Sequence, residues 1–176
     1  MSRRQPDLVI NALRMPLHVS ATIEQQYEDF GGFTATPRRF ANGAGLVQEA
    51  WRRVRTSISA SGLVPPGLFS VDWTAPITMG CVAARSIQAP GNVFDLPAER
   101  RADAPPFGFA ITAGGMIRPV DVAVDDHQAT LAPLAGAVGY QVLWYPVMTV
   151  LAPVGPVLTF DAAGAVSGWQ LIGEEV

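Results

Sequence analysis

The sequence predicts an all-β fold, either a β-sandwich or a barrel-like domain, with a long extended hairpin and little helix. Short runs of β-branched and aromatic residues recur along the chain, separated by Gly, Pro, Asn and Asp. Asn42–Gly43 stands between two strand-like runs and is a residue pair typical of a tight hairpin turn. No amphipathic run is long enough for a substantial helix. With 176 residues, the chain is predicted to form a single β-rich domain over residues 1–176.

The first half of the chain is predicted to contain strands and a protruding hairpin. Residues Leu17–Tyr27 alternate roughly between apolar and polar positions and predict a strand. Phe33–Phe40 and Leu46–Ser59 are predicted as the two arms around the Asn-Gly turn, so the hairpin covers residues 33–60, with a bulge expected near the turn. Further strands are predicted at Val71–Trp73 and Ile77–Ile87.

The second half begins with a Pro-rich loop over residues 88–106, with one helical turn expected at Pro97–Arg101. Strands are then predicted at Phe107–Thr112, Ile117–Val124, Gln128–Leu131, Tyr140–Leu151, Val157–Phe160 and Gly168–Ile172. Turn residues separate them at Ala113–Gly115, Asp125–Asp126 and Asp161–Gly164.

The segment from Ala129 to Phe160 has no charged residue and is long enough to cross a bilayer. Four prolines interrupt it, and each proline inside a helix costs about 3 kcal/mol. We therefore interpret the segment as sheet and expect no membrane insertion. Five of its residues are predicted to lie in or near the core: Val142, Leu143, Val147, Val150 and Leu151.

Charged residues make up 15% of the chain, against roughly 25% in ordinary soluble domains. An oligomer would cover much of the neutral surface that this implies; the alternative is a monomer with a surface of Gly, Ser, Thr and Pro. All twelve basic residues are Arg, which suits bidentate interface contacts, but a GC-rich coding sequence explains this better because Ala, Gly and Pro are enriched as well. The net charge of −3 argues against nucleic-acid binding.

Residues that carry chemistry are few. The single cysteine, Cys81, excludes an intrachain disulfide and a Cys-based zinc cage, and is interpreted as a small buried apolar residue in a protein made in a reducing cytoplasm. His127 follows two aspartates in a predicted turn, and His18 is expected to be a cross-strand polar residue; neither indicates a metal site. No phosphate-binding, dinucleotide-binding or nucleophile motif is present. We therefore predict no cofactor, no metal and no enzymatic activity.

The candidate functional residues lie on the predicted hairpin. Trp51, Arg52, Arg53 and Arg55 follow the Asn42–Gly43 turn, and alternation places Arg53 and Arg55 on the face of Trp51, where guanidinium groups stack on aromatic rings. The hairpin is either an intersubunit surface or a solvated arm. The aromatic residues Tyr140, Trp144, Tyr145 and Trp169 are expected in the core rather than on a sugar-binding platform.

Three segments resemble small tail proteins of siphophages or transposable phages. They are YEDFGG (27–32), RRFANGAGLVQEAWRRVRTSISASGLVPPGL (38–68) and VLWYPVMTVLAP with FDAAGAVSGWQLIGEEV (142–153 and 160–176). The resemblance is closest to the distal tail, or baseplate ring, protein class. It implies a hexameric ring of copies in the virion tail, contacting the tail tube and the tail-tip or hub proteins. A minor tail or tail-completion protein, and a host-glycan-binding β-sandwich using Trp73 or Trp144, are the alternatives.

Overall fold

A computed structural model describes residues 5–15, 22–33, 38–46, 49–62, 67–164 and 166–176. In these ranges the predicted all-β class is confirmed: the strands form several antiparallel sheets, consistent with a sandwich or barrel-like fold, and the one helical element is a 3-10 turn at Leu68–Ser70. The chain divides into two compact units. The first unit comprises Met1–Arg14 and Thr78–Met148, and the second comprises Met15–Ile77 and Thr149–Val176. The single-domain assignment to residues 1–176 stays a prediction.

The strands are numbered along the chain. They are β1 (Leu8–Ile10), β2 (Leu13–Met15), β3 (Thr22–Phe33), β4 (Arg38–Arg39), β5 (Gly45–Leu46), β6 (Glu49–Ser61), β7 (Ile77–Gly80), β8 (Arg85–Ala89), β9 (Val93–Asp95), β10 (Phe107–Thr112), β11 (Ile117–Val120), β12 (Val122–Asp125), β13 (Gln128–Leu131), β14 (Ala137–Trp144), β15 (Val147–Leu151), β16 (Val157–Phe160) and β17 (Val166–Glu175).

The first unit contains a four-stranded antiparallel sheet in the order β11-β10-β14-β8 and a three-stranded sheet in the order β12-β13-β9. In β14 the side chains of Tyr140, Val142 and Trp144 are buried, as the two-residue period of a strand requires. They pack with Phe94, Leu96, Ala110, Ala129 and Leu131. Gly108 makes this packing close, because a Cβ atom there would lie 2.5 Å from Leu131 Cδ2.

The second unit is built on β17, which pairs with β6 on one side and with β15 and β16 on the other. β6 in turn pairs with β3 over eleven residue pairs, from Thr22↔Ser61 to Phe33↔Glu49. One face of this sheet buries Ile58, Trp169 and Leu171. The sheet therefore ends, on the β6 side, in the long hairpin that β3 and β6 form.

The hairpin differs from its predicted form in its first arm. The Asn42–Gly43 turn is confirmed, since β4 and β5 pair around it, and the second arm corresponds to β6. Of the predicted first arm Phe33–Phe40, Phe33 pairs with Glu49 and Arg38–Arg39 pairs with Gly45–Leu46, but most of β6 pairs with the preceding part of β3. There Ile23 and Tyr27 lie opposite the buried residues Ala60 and Thr56. Residues 34–37 lie outside the described ranges, as does His18.

Two predicted strands in the middle of the chain need correction. The strand predicted at Val71–Trp73 is wrong: a bend follows the 3-10 turn, and Asp72 Oδ1 accepts hydrogen bonds from the backbone N and Oγ1 of Thr74 at 3.0 and 2.7 Å. The strand predicted at Ile77–Ile87 is divided into β7 and β8. Arg85–Ala89 pairs with β14, whereas Val9 and Ile10 pair with β7, so the two halves have different neighbours.

Four further predictions are wrong in detail. Pro97–Arg101 forms no helical turn; instead Arg100 makes an isolated bridge with Pro146. The strand predicted at Tyr140–Leu151 is divided into β14 and β15, and β15 begins after Pro146, which lacks the N–H needed to continue the ladder. Val142 and Val150 are fully buried as predicted, but Leu151 is 41% exposed because it follows the buried Val150 in the alternation of β15. Similarly, Asp121 separates β11 from β12, which were predicted as one strand.

The uncharged segment from Ala129 to Phe160 forms β14, β15 and β16 together with most of β13, as the sheet interpretation predicted. Over the ranges that the structure describes, no helix has the length and apolar character needed to cross a membrane.

Candidate assembly surface

The hairpin extends beyond the sheet that anchors it. β17 pairs with β6 from Trp169↔Ala60 to Glu174↔Arg55, and the Glu175 carboxylate accepts a hydrogen bond from Val54 N at 3.0 Å. Beyond this point, β6 pairs with β3 alone among the described residues. We call residues 29–33, 38–46 and 49–54 the arm. In it, β3 pairs with β6, and β4 pairs with β5 around the turn as a separate two-stranded sheet. Among the described residues, no third strand pairs with either part of the arm.

The base of the arm carries an aromatic and cationic stack. The Phe30 and Trp51 rings meet edge to face, with centroids 5.6 Å apart, and the Arg55 guanidinium carbon lies 5.1 Å from the centroid of Phe30. The predicted stacking of arginine on an aromatic ring therefore occurs, but the ring belongs to Phe30 of the opposite strand and not to Trp51. The side chain of Trp51 remains 50% exposed.

Arg55 is also bound to carboxylates of its own chain. Its Nε and Nη2 donate to Glu174 Oε1 at 3.0 and 2.7 Å, and its Nη1 lies 3.7 Å from Glu28 Oε2. These contacts join β3, β6 and β17 across one face of the sheet. The role predicted for Arg55, reaching a neighbouring subunit, competes with this intrachain role.

The other two arginines of the candidate set point into solvent. Arg52 Nη1 lies 3.4 Å from Asp29 Oδ2, and both side chains are about half exposed. Arg53 Nη1 donates to the carbonyl of Arg52 at 3.2 Å, and its side chain is exposed. Such exposed ion pairs contribute little to stability, about 0–1 kcal/mol each. These two residues are accessible to a partner.

Two glycines opposite Trp51 make its position possible. A Cβ atom on Gly31 would lie 2.2 Å from the Trp51 carbonyl oxygen, and one on Gly32 would lie 2.7 Å from Trp51 Nε1. The pairing of β3 with β6 shifts register at this point, so that the ribbon contains a bulge. Sequence reasoning placed the bulge at the Asn-Gly turn and gave no role to these glycines, although paired glycines within a strand are a signal for close backbone approach.

The tip of the arm is a tight, well-bonded turn that displays apolar residues. Phe40 N donates to Ala44 O and Gly43 N donates to Phe40 O, both at 2.9 Å, and Asn42 Oδ1 accepts from Ala44 N at 3.1 Å. Gly43 has φ = +82°, which glycine adopts readily. Phe40 is 57% exposed, and Leu46 and Arg38 are exposed beside it. Asn42 and Gly43 thus shape the tip, and Phe40 is its largest apolar side chain.

A second apolar surface in the second unit lies at the other side of β17. Pro153, Val154, Val157, Gln170, Ile172 and Glu174 line a groove of about 210 Å³, which we call the β16 groove. Val154, at 86%, is the most exposed large apolar residue of the described chain. Sequence reasoning did not identify this groove, because its residues come from segments that are only brought together by the pairing of β16 with β17.

A buried arginine in the first unit was also missed. The side chain of Arg101 is 2% exposed, and each of its three guanidinium nitrogens is hydrogen-bonded. Nε and Nη2 donate to the two Asp103 oxygens at 2.9 and 2.8 Å, and Nη1 donates to the carbonyls of Asp7, Gly80 and Cys81 at 2.6, 3.1 and 3.0 Å. These bonds join the segment before β1, the end of β7 and the Pro-rich loop. Hydrogen bonds from Arg101 lower the pKa of Asp103, with smaller help from the charge of Arg14 at 3.5 Å. The network is structural: its donors are satisfied internally.

The remaining candidate residues have ordinary environments. Cys81 is buried as predicted. His127 is exposed in the β12–β13 turn, beside Arg100 and Asp126, and the described residues contain no cluster of His, Cys, Asp or Glu that would hold a metal ion. The pKa of Asp72 is lowered by its hydrogen bonds from Thr74, a local turn effect.

The four aromatic residues that were predicted to lie in the core are in the interior. Tyr140, Trp144, Tyr145 and Trp169 are all buried, as predicted. Trp73 is half-buried, and its Nε1 donates to Leu68 O at 3.1 Å. Of the two tryptophans named for glycan binding, Trp144 is part of a core cluster and Trp73 packs against the turn at Gly155, so neither ring is fully exposed.

No protein-family model matches the chain, and no curated protein matches it at a significant level of sequence similarity.

Proposed function

We propose that this protein is a structural virion protein of a bacteriophage tail, which forms a ring at the tail tip and joins the tail tube to the tip proteins through contacts made by the arm. The proposal combines two sources of support. The geometry of the arm favours assembly with other protein chains. The resemblance of the hairpin and terminal segments to phage tail proteins indicates which assembly, a ring at the tail tip.

The observation that carries the proposal is the unsupported arm with its apolar side chains. An isolated two-stranded hairpin is at best marginally stable in water. This one exposes Phe40, Leu46 and Trp51, which a monomer would leave in contact with solvent. Aromatic residues of this kind are enriched at the centres of protein interfaces, because each buries a large apolar area. A partner that covers the arm would both bury these residues and stabilise the ribbon.

The charge distribution is consistent with assembly. Exposed large apolar residues occur well beyond the arm, among them Phe69, Ile117, Val138, Val154 and Phe160, in a chain with 15% charged residues. Several of the charged side chains, such as Arg55 and Arg101, pair with carboxylates of their own chain. Few charges are therefore left on the surface to oppose association through exposed apolar residues. Copies of the chain in a ring, six according to the resemblance, together with tube and hub proteins, are the proposed partners. The proposed location is the virion tail, after synthesis in the bacterial cytoplasm.

The test is the state of the purified protein in solution and on the virion. Size-exclusion chromatography with light scattering, over protein concentrations from 1 to 100 µM (about the range of transient to stable contacts), is expected to show a concentration-dependent oligomer. Negative-stain images of that oligomer should show rings. A protein that stays monomeric throughout, and that does not join purified tails lacking their tip, would contradict the proposal.

A further inference from the structure

The β16 groove is open to solvent yet has a defined shape. Its volume of about 210 Å³ exceeds that of an engineered apolar cavity of about 150 Å³ that binds benzene, so there is room for a phenyl ring. Val154, Val157 and Ile172 line it, and all three are exposed. Exposed apolar residues that converge on one concave site mark a place where an apolar group docks.

The wall of the groove is held in place from below. Gly155 has φ = +66° and its N–H donates to Ala152 O at 2.9 Å, which closes the turn between β15 and β16. The Trp73 indole packs under this turn, since a Cβ atom on Gly155 would be 3.4 Å from Trp73 Cγ. Trp73 is itself fixed by its hydrogen bond to Leu68 O. An occupant would therefore find the groove formed in advance, at little cost in ordering.

The rim of the groove is acidic, whereas the tip of the arm is basic. Glu174 lines the groove, and Arg55, which donates two hydrogen bonds to Glu174 Oε1, also lies 3.7 Å from Glu28 Oε2. Two carboxylates therefore share one cation, and the Glu174 side chain is 43% exposed. The tip, residues 38–46, contains Arg38 and Arg39 and no carboxylate. Arg39 bonds to the carbonyl of Gly43 within the turn, and the Arg38 side chain is exposed beside Phe40. The charges of the two surfaces are complementary.

We infer that the arm tip of one copy docks into the β16 groove of the next copy, with Phe40 in the groove and Arg38 near Glu174. This inference rests on the proposed function and names the two surfaces that meet. Each surface offers what the other lacks: a prominent aromatic side chain with positive charge, and a preformed apolar recess with negative charge. The occupant is a second copy because the same chain carries both of the complementary surfaces, the tip and the groove.

The two surfaces have a consequence for symmetry. The tip and the groove are different patches of the same unit, so a contact between them is head-to-tail and leaves a free tip and a free groove at the ends of every open oligomer. Head-to-tail contacts of this kind generate closed rings or open filaments, whereas a two-fold dimer uses the same patch on both copies. This docking mode gives a ring when the rotation between successive copies closes, and it is incompatible with a two-fold dimer.

The first experiment compares substitutions at two residues of similar exposure, 86% for Val154 and 81% for Phe69. Val154→Glu places a carboxylate in the groove, and Phe69→Glu places one at an 81% exposed residue outside it. Val154→Glu should weaken association at least about tenfold by light scattering, because burying an unpaired carboxylate is strongly unfavourable. Phe69→Glu should leave association unchanged, and both variants should melt like the unaltered protein. If Phe69→Glu weakens association and Val154→Glu does not, the groove is not the docking site.

The second experiment locates the contact directly. The double variant Phe40→Cys, Val154→Cys is oxidised and run on a non-reducing gel, with Phe40→Cys, Phe69→Cys as its control; the native Cys81 is buried and does not compete. A disulfide needs Cα atoms about 4.4–6.8 Å apart, so only residues in contact will cross-link. A ladder of covalent oligomers is expected from the first variant and not from the control.

The outcomes separate this inference from the proposed function. Rings that form with a ladder support both. Oligomers seen by light scattering, without a ladder from the Phe40→Cys, Val154→Cys variant, overturn the docking of tip into groove but leave the assembly proposal intact. A protein that is monomeric at every concentration overturns both.

Discussion

Arg101 is a buried cation that is fully occupied within its own unit. Replacing it by Leu should destabilise the protein by about 3–5 kcal/mol, because three backbone carbonyls lose their donor and Asp103 loses its partner. The adjacent Arg100 provides a matched control. Its contacts are exposed, and Arg100→Leu should cost less than about 1 kcal/mol. Urea denaturation of the two variants measures both values. Equal effects would mean that the Arg101 network adds little to stability.

The stability that the Arg101 network contributes depends on pH, because the carboxyl group of Asp103 titrates. Its folded-state pKa lies below the usual value of 3.8, chiefly because Arg101 donates hydrogen bonds to it. The ionised carboxylate therefore stabilises the folded state above pH 3.8, and this contribution is lost as the pH falls through the lowered pKa. Thermal melting of the protein and of Asp103→Asn between pH 6 and pH 2 (about the range over which such a group titrates) should give two curves that converge at the acidic end. A constant separation would show that Asp103 does not titrate with folding.

Arg55 illustrates how an intrachain contact changes a prediction from sequence. If it only faced a partner, Arg55→Glu would fold normally and fail to assemble. Because Arg55 pairs with Glu174 and lies near Glu28, we expect Arg55→Glu to cost about 1–2 kcal/mol of stability, from the lost pair and the new repulsion. The charge-reversed double variant Arg55→Glu, Glu174→Arg should recover most of the loss in urea denaturation. No recovery would mean that packing on Phe30, and not the ion pair, explains the effect.

Among the elements, the arm depends on glycines that allow close approach. Gly31→Ala would place a methyl group 2.2 Å from the Trp51 carbonyl, so the ribbon must shift. We expect the free energy of opening of the arm, measured by amide hydrogen exchange, to fall by about 1–3 kcal/mol. Gly91→Ala is the control, since a Cβ atom there would have no neighbour within 4 Å. Unchanged exchange in Gly31→Ala would show that the arm accommodates the methyl group.

The elements also show what the sequence could and could not predict. Local signals identified the Asn42–Gly43 turn and most strands of the second half, because turn chemistry and two-residue alternation are properties of neighbouring residues. Most of the partner strand of β6 was missed, since pairing depends on which other segment buries a matching face. Arg101 and the β16 groove were missed for the same reason: the partners of Arg101 include Asp7 and Gly80, and the groove joins residues 153–157 to β17. Nothing in the run of Arg100 and Arg101 distinguishes the buried arginine from the exposed one.

At the scale of the whole molecule, the proposed ring predicts that stability is distributed differently in the monomer and in the assembly. The arm has two strands and few buried side chains, whereas β17 and β6 share a sheet that buries Ile58, Trp169 and Leu171. Segments with little burial open most easily and exchange their amide hydrogens fastest. In dilute protein, amides of residues 49–53 should therefore exchange much faster than those of residues 56–60 of the same strand.

Assembly should remove this difference. At concentrations where light scattering shows oligomers, a neighbour covers Phe40 and Leu46, and binding to the folded arm stabilises it by mass action. Protection of residues 49–53 should then rise with protein concentration, while residues 56–60 stay constant and serve as the internal control. In Val154→Glu, the arm should keep its monomer exchange rate at all concentrations. Arm protection that is high and independent of concentration would mean that the ribbon is stable by itself, and its exposed aromatic residues would no longer require a partner.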